Sequence, residues 1–116
     1  MERENPLRQK AYAFALHTVH FCISLQKERE YVLSKQYLKA GTSIGANIEE
    51  AQQAQSRRDF VSKLCISLKE ASESQYWLRF IRDSFPNTKK EAGQLLGELD
   101  ELLRLLTAII KSSRRE

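Results

Sequence analysis

Arg57, Arg58, Lys69, Arg79, Arg82, Lys89 and Lys90 are the residues whose types and spacing point to a chemistry, and that chemistry is the holding of phosphates. At about 100° per residue, Arg57, Arg58, Lys69, Arg79 and Arg82 fall within less than half the circumference of one helix. Lys89 and Lys90 fall where a further helix begins. Cations there oppose the helix dipole at a cost of a few tenths of a kcal/mol or more, so their placement calls for a reason such as an anionic partner. Asp59, Glu70 and Glu73 are near enough to pair with several of these cations, and a solvated charged face is the competing reading.

No catalytic constellation accompanies them. Gly41-Thr-Ser-Ile-Gly45 has a pair of glycines but lacks the preceding strand, the longer glycine spacing and the following lysine of a phosphate loop. His17 and His20 sit about one turn apart, yet no helix carries carboxylate and histidine pairs at Glu-x-x-His spacing, so neither a metal nor another cofactor is implied. Cys22 and Cys65 stand alone, without metal-ligand spacing, and read as buried reduced thiols. No nucleophile and base pair stands out.

The elements that must position the basic residues are helices. Asn5 followed by Pro6 starts the first, which runs over about 6–27. Its two apolar stripes, Leu7, Ala11, Phe14, Phe21, Leu25 and Tyr12, Leu16, Val19, Ile23, predict one wide buried face. A second helix spans about 32–54. Ser56 with Asp59 has the spacing of a capping box and opens a third over about 57–85; Pro86 and Asn87 stop it. Thr88 with Glu91 repeats that spacing at the head of a fourth, about 89–112, whose closing Lys111, Arg114 and Arg115 complement its dipole.

Two features predict close contacts. Gly41 and Gly45 lie inside a helical apolar pattern, where each costs about 1 kcal/mol relative to alanine. With Ser43 and Ala46 they read as one smooth patch for a packed helix. On the third helix a core stripe of Phe60, Leu64, Leu68, Ala71 and Leu78 is nearly opposed by Ile66, Trp77 and Ile81. A monomer would leave that second stripe in water, so a subunit contact is predicted there. Tyr76, Trp77 and Phe80 have the chemistry to stack on bases, although subunit packing is the favoured reading of them.

The chain of 116 residues has the length of one domain, residues 1–116, and is 41% hydrophobic and 29% charged. Glycine and proline are scarce, which suits an all-α protein. No apolar run approaches about 18 residues and MERENPLRQK has no apolar signal core, so a cytoplasmic protein without a membrane partner is expected. A net charge of +4 is modest for one chain, but five assembled copies would carry about +20.

The run Leu33–Leu78, with SIGANIEEA, SRRDF, LKEA and YWL in order, resembles the signature of the bacterial four-helix bundle protein family. That family is also called the 23S rRNA-intervening-sequence protein family, because some members are encoded inside inserts in large-subunit ribosomal RNA genes. The match covers roughly the central two fifths of the chain. It implies an antiparallel up-down four-helix bundle assembling as a ring-like homo-oligomer, a homopentamer. A distant relative, the accessory variability determinant of diversity-generating retroelements, works with a reverse transcriptase and nucleic acid. Gly41, Ser43, Ile44, Gly45, Asn47, Glu50, Phe60, Leu64, Glu70 and Trp77 match the signature. Most read as architecture: the glycines for packing, Asn47 and Glu50 for hydrogen bonds near the turn into the third helix, Trp77 for the subunit contact. Ser72 departs from it, since relatives place a basic residue there.

Two functions are carried forward. One is a non-enzymatic homo-oligomer whose basic surface binds RNA or DNA as an accessory factor. The other is an assembly module that presents its helices to another protein, its charge serving solubility.

Overall fold

Asn5 accepts a hydrogen bond on Oδ1 from the Arg8 amide, and Pro6 follows at the first helical position, so α1 (Pro6–Lys27) starts where those residue types require. In the computed structural model, which describes residues 5–115 and side chains through 114, three more α-helices follow. They are α2 (Val32–Ala51), α3 (Arg57–Ser84) and α4 (Lys89–Arg115), with a single 3₁₀ turn, Pro86–Thr88, between the last two.

The helix ends show how local chemistry sets the connections. α1 stops without glycine or proline: Arg29 takes φ 65°, while its amide and that of Glu30 bond back to Gln26 O and Leu25 O. This is the Schellman closure with arginine at the position glycine usually fills. α2 ends at Ala51, a few residues before the expected 54, because Gln52, Gln53 and Ala54 tighten into bonds three residues back. Ser56 caps α3 through Asp59 N, as its spacing predicts, but the Asp59 carboxylate accepts from the Gln55 amide instead of closing the box on Ser56. Thr88 forms no capping box at all. Its hydroxyl donates to Phe85 O and contacts Ile81 O, because the 3₁₀ turn already leads the backbone into α4 and leaves Thr88 buried.

Short connections make successive helices neighbours, and each helix packs on two others, in the cycle α1–α2–α3–α4. α1 and α3 therefore stand on diagonally opposite corners. Arg8 to Glu49 ties the start of α1 to the end of α2, and Asn87 to Glu28 ties the α3–α4 connection to the end of α1. Both links are those of an up-and-down arrangement. The molecule measures 47 × 27 × 20 Å.

Phe14, Phe21, Tyr37, Ile44, Ile48, Leu64, Leu78, Leu95, Leu99, Leu102 and Leu106 fill the centre. α4 contributes the single broad stripe its sequence shows. Two expectations are corrected. Tyr12, Leu16, Val19 and Ile23 do not widen the buried face of α1, for Tyr12 is 68% exposed and the other three face water with it. A helix at the corner of four can bury only the arc between its two neighbours. Ile81, expected on an outer stripe, is 0% exposed, because the far end of α3 closes over the core beside Leu78 and the buried Thr88.

Candidate nucleic-acid interface

α3 carries most of the basic residues, and its length decides how they group. Arg57 and Arg82 are about 37 Å apart along the helix at roughly 1.5 Å per residue, so the candidates do not form one continuous patch. They divide between opposite ends of the molecule, with the exposed Lys69 between them.

At the first end, Arg57 and Arg58 lie in the opening turn of α3 and the last turn of α4 lies beside them. Arg57, Arg58, Val61, Ser113 and Arg114 line an open cleft of about 350 Å³. Arg114 also lines the neighbouring groove with Lys111, and its Nη2 donates to Cys65 Sγ at 3.4 Å. Arg114 was thus not only a dipole-complementing end residue. Its grouping with Arg57 and Arg58 follows from the up-and-down order, which sets the end of α4 beside the start of α3. The side chain of Arg115 lies outside the described residues.

At the second end, Arg79 and Arg82 meet Lys89 around Asp83. Arg82 Nε donates to Asp83 Oδ1 at 2.8 Å and Nη2 to Oδ2 at 3.3 Å. That hydrogen bonding, with smaller contributions from the charges of Arg82, Arg79 and Lys89, holds the Asp83 carboxyl below the usual carboxylate range. Arg82 is raised in turn, mainly by the same bond. Lys90 is exposed on the adjoining turn. Asp83 was not foreseen as the hub of this cluster, although its place next to Arg82 is plain in the sequence.

The packing candidates also separate. A Cβ built on Gly41 meets Thr18 Cγ2 at 3.0 Å, so Gly41 is where α1 and α2 approach closely. At Gly45 the nearest atom is Ala11 Cβ at 3.8 Å, an ordinary contact with room to spare. Ser43 donates to Lys39 O in its own helix and Ala46 is exposed. The expected patch is therefore a single tight point at Gly41. Asn47 likewise donates within α2, to Ser43 O, whereas Glu50 reaches Lys63 of α3 at 3.8 Å. The α2–α3 seam is also crossed by the buried Ser67 hydroxyl, which donates to Ile44 O at 2.8 Å.

Of the contact candidates, Ile66 is exposed and Trp77 is half-buried against the core, its Nε1 enclosed without a hydrogen-bond partner. Ile81 leaves the set. Cys22 is buried as expected, and burial pushes its thiol up to about 12; Cys65 is only half-buried. His17 is a strut between helices, its Nδ1 2.6 Å from Glu98 Oε2 and its Nε2 3.2 Å from Glu91 Oε2 on α4. Among the described residues no group of three or more histidine, cysteine or acidic side chains is arranged to hold a metal ion. Nor is any helix among them long and apolar enough to cross a membrane.

The arrangement is matched by known relatives. A crystal structure of a protein of unknown function from the S23 ribosomal protein family of Bacteroides thetaiotaomicron superposes with a TM-score of 0.85 at 42% sequence identity, over 90% of this chain and 98% of that one. No curated protein matches. The model of the 23S rRNA-intervening sequence protein family matches residues 3–108, and the chain belongs to that family.

Proposed function

We propose that this protein is a non-enzymatic, self-associating helical protein of the cytoplasm that binds nucleic acid as an accessory factor. The observation that carries the reading is the meeting of Arg57, Arg58 and Arg114 around one open cleft, with a second basic group at the other end of α3. Arginine side chains lining one open cleft suit the oxygens of a phosphodiester. Assembly multiplies the effect, since a net +4 per chain becomes about +20 for five copies.

Self-association is supported by apolar side chains exposed on opposite corners: Tyr12, Leu16, Val19 and Ile23 on α1, and Ile66 on α3. A two-fold dimer would use one of these and leave the other in water. Contact of the α1 stripe of one copy with the Ile66 half of α3 in the next uses both and leaves the carboxyl half of α3 open, and such head-to-tail contacts form a ring where the rotation between copies closes. A homopentamer is the ring we propose.

The test is a fluorescence-anisotropy titration of labelled single-stranded DNA, duplex DNA and structured RNA at two salt concentrations, with the assembly mass measured in the same buffers. For six to ten phosphate contacts, affinity is expected to fall by about 10³–10⁵ between roughly 50 and 200 mM salt. Arg57→Gln with Arg58→Gln is expected to weaken binding to every sequence and to flatten that slope. An intact assembly that binds none of the three overturns the reading. The exposed α1 stripe would then favour the second function, an assembly module that captures a protein partner with little dependence on salt.

A further inference from the structure

Near the carboxyl end of α3 stands an arrangement that charge-driven binding does not need. Tyr76 and Phe80, one turn apart, are 53% and 47% exposed, and their ring centroids lie 5.8 Å apart with the planes tilted by 57°. Tyr76 also meets Trp77 edge-on at 5.3 Å. Tyr76, Arg79, Phe80, Asp83 and Ser84 line an open cleft of about 270 Å³. That is at the small end of ligand sites, which run from about 300 Å³ upward. It suits a group the size of one base.

The surroundings select among occupants. Arg79 and Asp83 both line the cleft, Asp83 is bonded to Arg82, and Lys89 is near enough to act on its charge, so the ledge is apolar on its faces with cations in excess beside it. A helix of another protein docked there would have to desolvate these cations against its own apolar side chains. A duplex offers phosphates but keeps its base faces stacked inside. A single strand offers both features at once, π faces for the rings and phosphates for the cations.

We infer that the Tyr76–Phe80 ledge is a stacking platform for the bases of a single-stranded nucleic acid, with Arg79 and Lys89 holding the flanking phosphates. This rests on the nucleic-acid reading above and narrows it to single strands at this end of the molecule. Asp83 holds Arg82 in place beside the ledge.

The experiment uses the full chain and its own reporter. Trp77 is the only tryptophan and touches Tyr76, so its emission responds to what settles on that ring. The probes are oligothymidine, an abasic phosphodiester strand of equal length and a duplex, each about 20 residues long, long enough to pass one stacking site. Oligothymidine is expected to change Trp77 emission and to bind roughly 5- to 150-fold more tightly than the abasic strand for each base stacked. Tyr76→Ala with Phe80→Ala is expected to erase that preference and leave abasic affinity unchanged. Tyr76→Trp with Phe80→Trp, read by anisotropy, keeps the platform and is expected to retain it. Equal affinity for the thymidine and abasic strands, with binding still lost in the Arg57→Gln/Arg58→Gln variant, overturns the ledge and leaves the basic-surface reading standing. A fall in assembly mass in the alanine variant without a change in affinity makes the ledge a subunit contact and overturns it too. No binding of any probe overturns both.

Discussion

Of the four glycines, Gly41 has the closest neighbours, Thr18 and Tyr37. The Thr18 and Tyr37 hydroxyls share a buried hydrogen bond of 2.7 Å, which pins the threonine methyl against Gly41. Gly41→Leu is therefore expected to destabilise the fold by about 1–3 kcal/mol in urea unfolding, through forced separation of α1 and α2. Gly45→Ala meets only ordinary contacts and is expected to be neutral or to stabilise by up to about 1 kcal/mol, from helix propensity. Cys22 gives a pH signature with a definite sign. Burial raises its thiol from an ordinary value of 9.0 to about 12, so in that window the unfolded chain releases a proton that the folded chain keeps. Stability then falls as pH rises above about 9 and is untouched by this group at lower pH. Cys22→Ala is expected to flatten the fall measured by denaturation between about pH 9 and 11. Burial pushes Tyr37 in the same direction, so part of the slope remains.

For the elements, capping chemistry was legible where a side chain acts on its own helix and obscure where the backbone made other arrangements. Asn5, Pro6 and Ser56 begin α1 and α3 as their types require. Ser56→Ala is expected to cost about 1 kcal/mol in thermal or urea unfolding, since it removes the acceptor for the Asp59 amide. The end of α1 carries no helix-stopping residue, and the chain turns there by placing Arg29 in a conformation that suits glycine. Arg29→Gly is expected to raise stability by up to about 1 kcal/mol in the same assay, with the Schellman bonds kept. Thr88 shows the opposite case: a capping-box spacing was present, but tertiary burial turned the hydroxyl back toward Phe85 and Ile81.

In the whole molecule the cycle of four helices sets which surfaces are available to partners. α1 and α3 occupy opposite corners, so their outward apolar residues cannot cover one another within a chain. Leu16→Lys with Ile23→Glu places charges on the exposed α1 stripe without touching the core. It is expected to reduce the mass seen by light scattering to that of a monomer, with helix content unchanged by circular dichroism. An unchanged mass would remove α1 from the proposed contact. The ion pairs along the helix seams, Arg8 to Glu49 and Lys10 to Glu101, are exposed and contribute little to stability.

The four helices, their approximate ends and the core stripe of α4 could be read from the chain alone, because helical periodicity and capping depend on residues a few positions apart. The family could be read too, from the run Leu33–Leu78. The grouping of the functional candidates could not. Whether Ile81 or Tyr12 is buried depends on which arc of a helix its neighbours cover. Arg114 joins Arg57 and Arg58 because the end of α4 returns to the start of α3. Arg57 and Lys89 stand at opposite ends for the same reason: a helix of this length carries charges on one face well beyond the reach of a single phosphate. Such relations between residues distant along the chain arise only when the helices pack, since packing alone brings those residues together or holds them apart.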